Sequence, residues 1–133
     1  MDFARIAKLG IPAAIVMLAL GFFGHTILLA PYLETSGFNM RAEPDMPWVV
    51  AGYLVLGLLM AYLYPKLAGE GSPIEVGLKF GVLIALLWTL PLTLVLQGAL
   101  EQDSTTHLID LVWHLLEQGV GGVVMAYLAG MWS

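Results

Sequence analysis

The side chains best suited to chemistry lie close together near the C-terminal end of the sequence. His107, Asp110, His114 and Glu117 are separated by three, four and three residues, and Gly121 follows four residues later. In an α-helix this spacing places all five residues on one face. Imidazole and carboxylate groups bind iron, zinc or manganese and also exchange protons. The stripe therefore predicts a polar site on one face of a helix.

A histidine far away in the sequence supplies a partner for this stripe. At a rise of about 1.5 Å per residue, His25 and His114 both lie roughly 10 Å below the same end of their helices, and Glu117 lies roughly 15 Å below it. Gln97 and Tyr32 lie nearer that surface. We therefore expect a cluster in one half of the protein, formed by His25, Gln97, Asp110, His114 and Glu117.

Three interpretations of this cluster remain open. The first is a hydrogen-bonded network that only fixes how the helices align. The second is a ligand site, in which His25 and His114 bind a divalent metal ion or the two axial positions of a haem, with Glu117 as a third or supporting group. The third is a pathway for protons or small solutes through Glu117. No close metal-binding motif such as HExxH selects the second.

The composition shows which elements must position these side chains. Hydrophobic residues make up 59% of the chain and charged residues 11%, and the mean hydropathy is +0.86. Soluble domains have about 45–50% apolar and about 25% charged residues. We predict an all-α integral membrane protein that forms a four-helix bundle, with residues 1–133 as a single transmembrane domain. Since a span needs roughly 20 apolar residues, the helices are predicted at about 9–33, 47–64, 76–100 and 106–132.

The first apolar run raises the question of a signal peptide. It continues from Leu9 to Leu33, whereas the apolar core of a signal peptide has about 7–15 residues. We therefore expect this run to be a retained membrane helix.

Several classes of function are disfavoured by what the composition lacks. The chain has no cysteine, which excludes disulfides, thiolate metal sites and cysteine nucleophiles. Its formal net charge is −5, so there is no basic surface to neutralise nucleic-acid phosphates. No nucleotide-binding motif is present either.

The orientation in the membrane is predicted from the basic residues, which are enriched in cytoplasmic loops. Arg5, Lys8, Lys66 and Lys79 fall on the side of the N-terminus, and only Arg41 falls on the other side. We therefore predict that both termini are cytoplasmic and that the membrane is a bacterial inner membrane.

Small residues at four-residue spacing predict close helix packing, because lipid provides no hydrophobic drive between helices. These residues are Gly57, Ala61, Gly77, Gly81, Ala85, Gly122, Ala126 and Gly130. The second and fourth spans also match at one offset, with Trp48 and Gly57 against Trp113 and Gly122. The first and third match less well, with Gly21 against Gly81. This pattern predicts two hairpins related as a parallel repeat, and chance similarity between apolar helices is the alternative.

A proline inside the third span predicts a local distortion. Pro91 cannot donate to the carbonyl group of Leu87, so we expect a kink there. Thr89 or Thr93 could satisfy the freed backbone groups.

Four short segments resemble those of small four-helix bacterial membrane proteins of unknown function. They are GFFGH at 21–25, LLAPY at 28–32, GLKFG at 77–81 and HLLEQG at 114–119. The resemblance extends over most of the chain and implies the same topology. It implies no activity and no catalytic residues.

The preferred functional prediction is a membrane protein that is not an enzyme. With no nucleophile, nucleotide motif or soluble domain in the sequence, we expect an accessory or structural subunit. Its partners would be the lipid bilayer and either other membrane subunits or further copies of itself. The alternatives are a haem- or metal-binding protein using His25 and His114, and a small transporter or channel with Glu117 in its path.

Overall fold

The computed structural model describes residues 2–35, 41–101 and 103–132, and these residues are almost entirely helical. Four segments are long and apolar enough to cross a membrane. The chain is therefore an all-α integral membrane protein with a four-helix bundle. Its elements are α1 (Phe3–Phe23), a π-helical turn (Gly24–Leu28), α2 (Ala30–Thr35), α3 (Met46–Leu67), α4 (Pro73–Ala99) and α5 (Ser104–Met131).

Two helices, α1 and α4, begin earlier than the apolar runs because polar side chains cap their first turns. The carboxylate of Asp2 accepts a hydrogen bond from the backbone N–H of Arg5, so α1 begins at Phe3 and not near Leu9. The hydroxyl of Ser72 caps α4 in the same way. Hydropathy marks the part of a helix that lies in lipid, whereas capping decides where the helix itself begins.

The predicted first helix is divided into three parts. A π-helical turn replaces the α-helix over Gly24–Leu28, and the short α2 follows after Leu29. The backbone N–H of Leu29 donates to the carbonyl of Gly24 at 2.7 Å, five residues back, as a π-helical turn requires. Periodicity within the apolar run did not reveal this interruption.

The bundle is built from two hairpins. One consists of α1 packed on α3, and the other consists of α4 packed on α5; α1 and α5 then join the hairpins, while α3 makes little contact with α4 or α5. The core lies where α1 and α5 meet their neighbours, and its fully buried side chains include Leu9, Met17, Met60, Phe80 and Met125. The bundle is therefore open on the side between α3 and α4.

Glycines allow the two helices of each hairpin to approach closely. A Cβ atom at Gly10 would lie 2.7 Å from the carbonyl oxygen of Gly57, and one at Gly77 would lie 2.6 Å from the carbonyl oxygen of Gly122. The two crossings are equivalent, which makes Gly10 the counterpart of Gly77. The sequence match instead paired Gly21 with Gly81. The two pairings differ because one follows the close approach of backbones and the other follows residue identity.

Most of the small residues predicted to pack lie at these interfaces. Ala61, Ala85 and Ala126 are buried, and the carbonyl of Gly77 and the backbone of Gly81 approach Gly122. Gly130 is different, because it is exposed and a Cβ atom there would meet nothing within 4 Å. The buried small residue in that turn is Ala129, one position earlier on the helix.

The proline in α4 does not end the helix, which continues to Ala99. Thr89 is buried, but among the described residues its hydroxyl has no hydrogen-bond partner. Of the two threonines predicted to satisfy the backbone groups freed by Pro91, Thr89 does not do so. By the antiparallel packing of α4 on α5, this hydroxyl lies at the level of the polar stripe.

Candidate functional site

The polar stripe of α5 faces α1. A Cβ atom at Gly121 would lie 2.6 Å from the sulfur of Met17, and one at Gly24 would overlap the indole ring of Trp113. These two contacts lie on either side of His114 and Glu117 along α5. The interface between α1 and α5 therefore places His25 directly opposite the stripe.

His25 lies in the π-helical turn and is held by hydrogen bonds at both ring nitrogens. Its Nδ1 lies 2.9 Å from the carbonyl oxygen of Gly21, and its Nε2 lies 2.9 Å from Oδ1 of Asp110. A carbonyl oxygen only accepts, so Nδ1 carries a proton and donates it to Gly21. The Nε2 atom is thereby directed at Asp110.

Asp110 links the two histidines. Its Oδ1 contacts His25, and its Oδ2 lies 3.5 Å from Nδ1 of His114. The same Nδ1 donates a hydrogen bond of 2.8 Å to the backbone carbonyl of Asp110. His114 is therefore also oriented by a backbone carbonyl, which leaves the lone pair on its Nε2.

Aromatic contacts complete the surroundings of His114. The ring centroids of His25 and His114 are 5.7 Å apart, and the Trp88 indole of α4 lies 5.2 Å from His114 in an edge-to-face arrangement. The His114 side chain is only 12% exposed, against 26% for His25 and 29% for Asp110. The pair of His25 and Asp110 is thus the more accessible part of the cluster.

Glu117 belongs to a second polar cluster, one turn deeper. It is fully buried, and it accepts hydrogen bonds from the Tyr53 hydroxyl at 3.1 Å and from the Gln118 side-chain amide at 2.9 Å. Gly21 separates this cluster from the first: a Cβ atom there would lie 2.9 Å from the Glu117 carboxylate and would collide with the Tyr53 hydroxyl. Only a glycine allows α1 to pass between the two clusters.

One member of the deeper cluster keeps an unused acceptor. The Gln118 side chain is fully buried, and within the described part of the chain its Oε1 atom has no hydrogen-bond partner. An unpaired buried polar atom costs about 1–3 kcal/mol. The Glu117 cluster therefore stabilises the packing of α5 less than an apolar contact at the same place would.

The first cluster has the composition of a metal-binding group. One ligand atom from each of His25, Asp110 and His114 lies within 4.8 Å of the others. Each imidazole already donates its Nδ1 proton to a backbone carbonyl, which is how the surrounding protein commonly orients metal-binding histidines. The sequence predicts Glu117 as a third or supporting group beside the two histidines; in the structure the Glu117 carboxylate is turned towards Tyr53 and Gln118. The carboxylate that contacts both histidines is that of Asp110.

The arrangement does not suit a haem. Two axial histidines would need a flat macrocycle between their rings, whereas here the Asp110 carboxylate contacts both imidazoles. A single ion needs much less space, since donor atoms around a tetrahedral zinc ion lie about 3.3 Å apart.

The remaining predicted residues lie outside this group. His107 is buried in the first turn of α5. Gln97 is partly exposed near the end of α4, and Tyr32 is 55% exposed on α2. The group that the structure assembles therefore has three of the five residues expected together, namely His25, Asp110 and His114.

Tyr53, the partner of Glu117, was not predicted from the sequence. A signal was available, because Tyr53 is the one hydroxyl-bearing residue between Val49 and Ala61. At the offset that matches Trp48 with Trp113, Tyr53 aligns with Gln118. The two hydrogen-bond donors to Glu117 therefore fall at matching positions in that alignment.

Comparisons with protein-family models, with curated proteins and with solved structures find no significant match for this chain. The resemblance to small four-helix bacterial membrane proteins thus remains a prediction from short segments. The function must be argued from the geometry of the site.

Proposed function

We propose that this integral membrane protein binds one divalent transition-metal ion between α1 and α5. The ligands would be Nε2 of His25, a carboxylate oxygen of Asp110 and Nε2 of His114, since Nδ1 of both histidines donates to a backbone carbonyl. The observation that carries the proposal is that His25, Asp110 and His114 each place a possible ligand atom within 4.8 Å of the others. Two imidazoles and one carboxylate suit zinc, iron or manganese, and three protein ligands would leave a coordination position open.

The surroundings of the cluster support a ligand site more than a purely structural network. The Nδ1 atoms of both histidines are occupied by backbone carbonyls, so neither ring is free to turn away. His25 also lies on a π-helical turn, and such turns occur frequently at functional sites. A network that only fixed helix alignment would not need this interruption of α1.

Metal binding to the purified full chain tests the proposal. Titration with Zn²⁺, Mn²⁺ and Co²⁺ in detergent, followed by calorimetry and by the visible spectrum of bound Co²⁺, should show one ion per chain. Asp110→Asn and His114→Gln should each abolish stoichiometric binding, while far-UV circular dichroism stays unchanged. His107→Gln is the matched control, since it removes a buried histidine from the same helix face. Wild-type binding in Asp110→Asn, or no binding by the wild type, would overturn the proposal.

We further propose that the protein acts as an accessory subunit in a larger membrane complex or a homo-oligomer, in a bacterial inner membrane with both termini inside. The described chain outside the four spans consists of short connections, which favours action within the membrane. The excess of basic residues on the side of the N-terminus supports the orientation. Purification from native membranes should retain a partner or a multimer. A stable monomer with no partner would contradict this role.

A further inference from the structure

A groove runs along the open side of the bundle, between α3 and α4. Its volume is about 390 Å³, and its lining is apolar apart from the Tyr53 hydroxyl and two indole rings, those of Trp48 and Trp88. The groove exists because α3 packs on α1 and hardly contacts α4. It faces the hydrocarbon of the membrane, since Val55 and Leu59 on its wall are more than half exposed.

The groove continues into a polar mouth at the end of α3. A second cavity of about 450 Å³ shares Trp48 and Val49 with the groove, and Arg41 and Asp45 also line it. The Arg41 guanidinium lies 3.4 Å from the Asp45 carboxylate, and both side chains are exposed. The mouth therefore presents one positive and one negative charge side by side, next to the apolar groove.

This order of surfaces, an apolar groove below a pair of opposite charges, matches the polarity of one phospholipid molecule. We propose that the groove binds a phospholipid with a primary-amine head group, of the phosphatidylethanolamine type. An acyl chain would lie in the groove between Trp48 and Trp88. The phosphate would accept hydrogen bonds from Arg41, and the ammonium group would donate to Asp45.

Two features favour this occupant over others. A transmembrane helix is about 10–12 Å wide with its side chains, so a stretch of helix as long as the groove would occupy well over the volume of about 390 Å³. An acyl chain therefore fills the groove more closely than a second copy or a partner helix would. An anionic lipid would satisfy Arg41 but would place its negative charge beside Asp45. A head group that carries both charges satisfies both residues.

Native mass spectrometry of the purified full chain tests this binding. The protein would be supplied with equal amounts of phosphatidylethanolamine, phosphatidylcholine and phosphatidylglycerol that share the same acyl chains. We expect one phosphatidylethanolamine per chain to be retained preferentially. Arg41→Gln or Asp45→Asn should weaken that retention about tenfold, the usual worth of one charge-assisted hydrogen bond.

Two further variants separate the groove from general lipid adhesion. A Cβ atom at Gly52 meets nothing within 4 Å, so Gly52→Leu should fill the groove and abolish retention without disturbing the helices. Lys79→Gln is the matched control, because Lys79 and Glu75 also form an exposed ion pair four residues apart, away from the groove. Equal retention of the three lipids, preference for phosphatidylglycerol, or unchanged retention in Gly52→Leu would overturn the proposal.

Discussion

The contact between α4 and α5 makes a sharp prediction about one glycine. A Cβ atom at Gly81 would lie 2.6 Å from the carbonyl carbon of Gln118 and 2.8 Å from the Cα atom of Gly119. Ordinary contacts between carbon atoms are about 3.5–4.0 Å. Since both neighbours are backbone atoms, no side chain can move aside, and Gly81→Ala must push the two helices apart by about 1 Å.

Gly98 on the same helix provides the matched control. A Cβ atom there meets nothing within 4 Å, so Gly98→Ala changes only the helix propensity, by about 1 kcal/mol in favour of folding. Gly81→Ala gains the same amount and also introduces the overlap, which costs about 1–3 kcal/mol in a packed interior. The difference between the two variants isolates the overlap, and with backbone on the opposing side we expect about 3 kcal/mol.

Equilibrium unfolding measures this difference. Each variant would be titrated from mild detergent into sodium dodecyl sulfate and followed by far-UV circular dichroism. Gly81→Ala should unfold at a clearly lower mole fraction of dodecyl sulfate than Gly98→Ala. If Gly81→Ala proves as stable as Gly98→Ala, the close approach of α4 and α5 at this residue is refuted.

Three further predictions use the same titration. A double-mutant cycle of Tyr53→Phe and Glu117→Gln should give a coupling free energy of about 0.6–1.7 kcal/mol, the range for hydrogen bonds between membrane helices; additive effects would argue against that bond. Thr89→Val should be neutral within about 0.5 kcal/mol or stabilising, because the hydroxyl has no partner in the described structure, and a clear loss would reveal one. Gly24→Ala should cost about 1–3 kcal/mol by overlap with the Trp113 indole, and the shorter side chain of Trp113→Leu should restore part of that loss.

The candidate site could be foreseen only in part. The spacing of Asp110, His114 and Glu117 on one helix face follows from helical periodicity, and the predicted depth of His114 agrees with that of His25. Which carboxylate meets His25 depends on how far α1 and α5 are displaced along each other. That displacement is set by small contacts such as Gly24 on Trp113 and Gly121 on Met17, which no local pattern encodes.

The sequence by itself determined the membrane character, the four spans and the polar face of α5, because the cost of placing polar groups in lipid and the period of the helix act on each segment separately. The tertiary structure alone decided that Asp110, and not Glu117, joins the two histidines, and that Tyr53 binds Glu117. It also decided that α3 and α4 stay apart, which leaves the groove. These features depend on which helix faces come together. The faces that meet are set by close backbone contacts between residues far apart in the chain, such as Gly10 and Gly57.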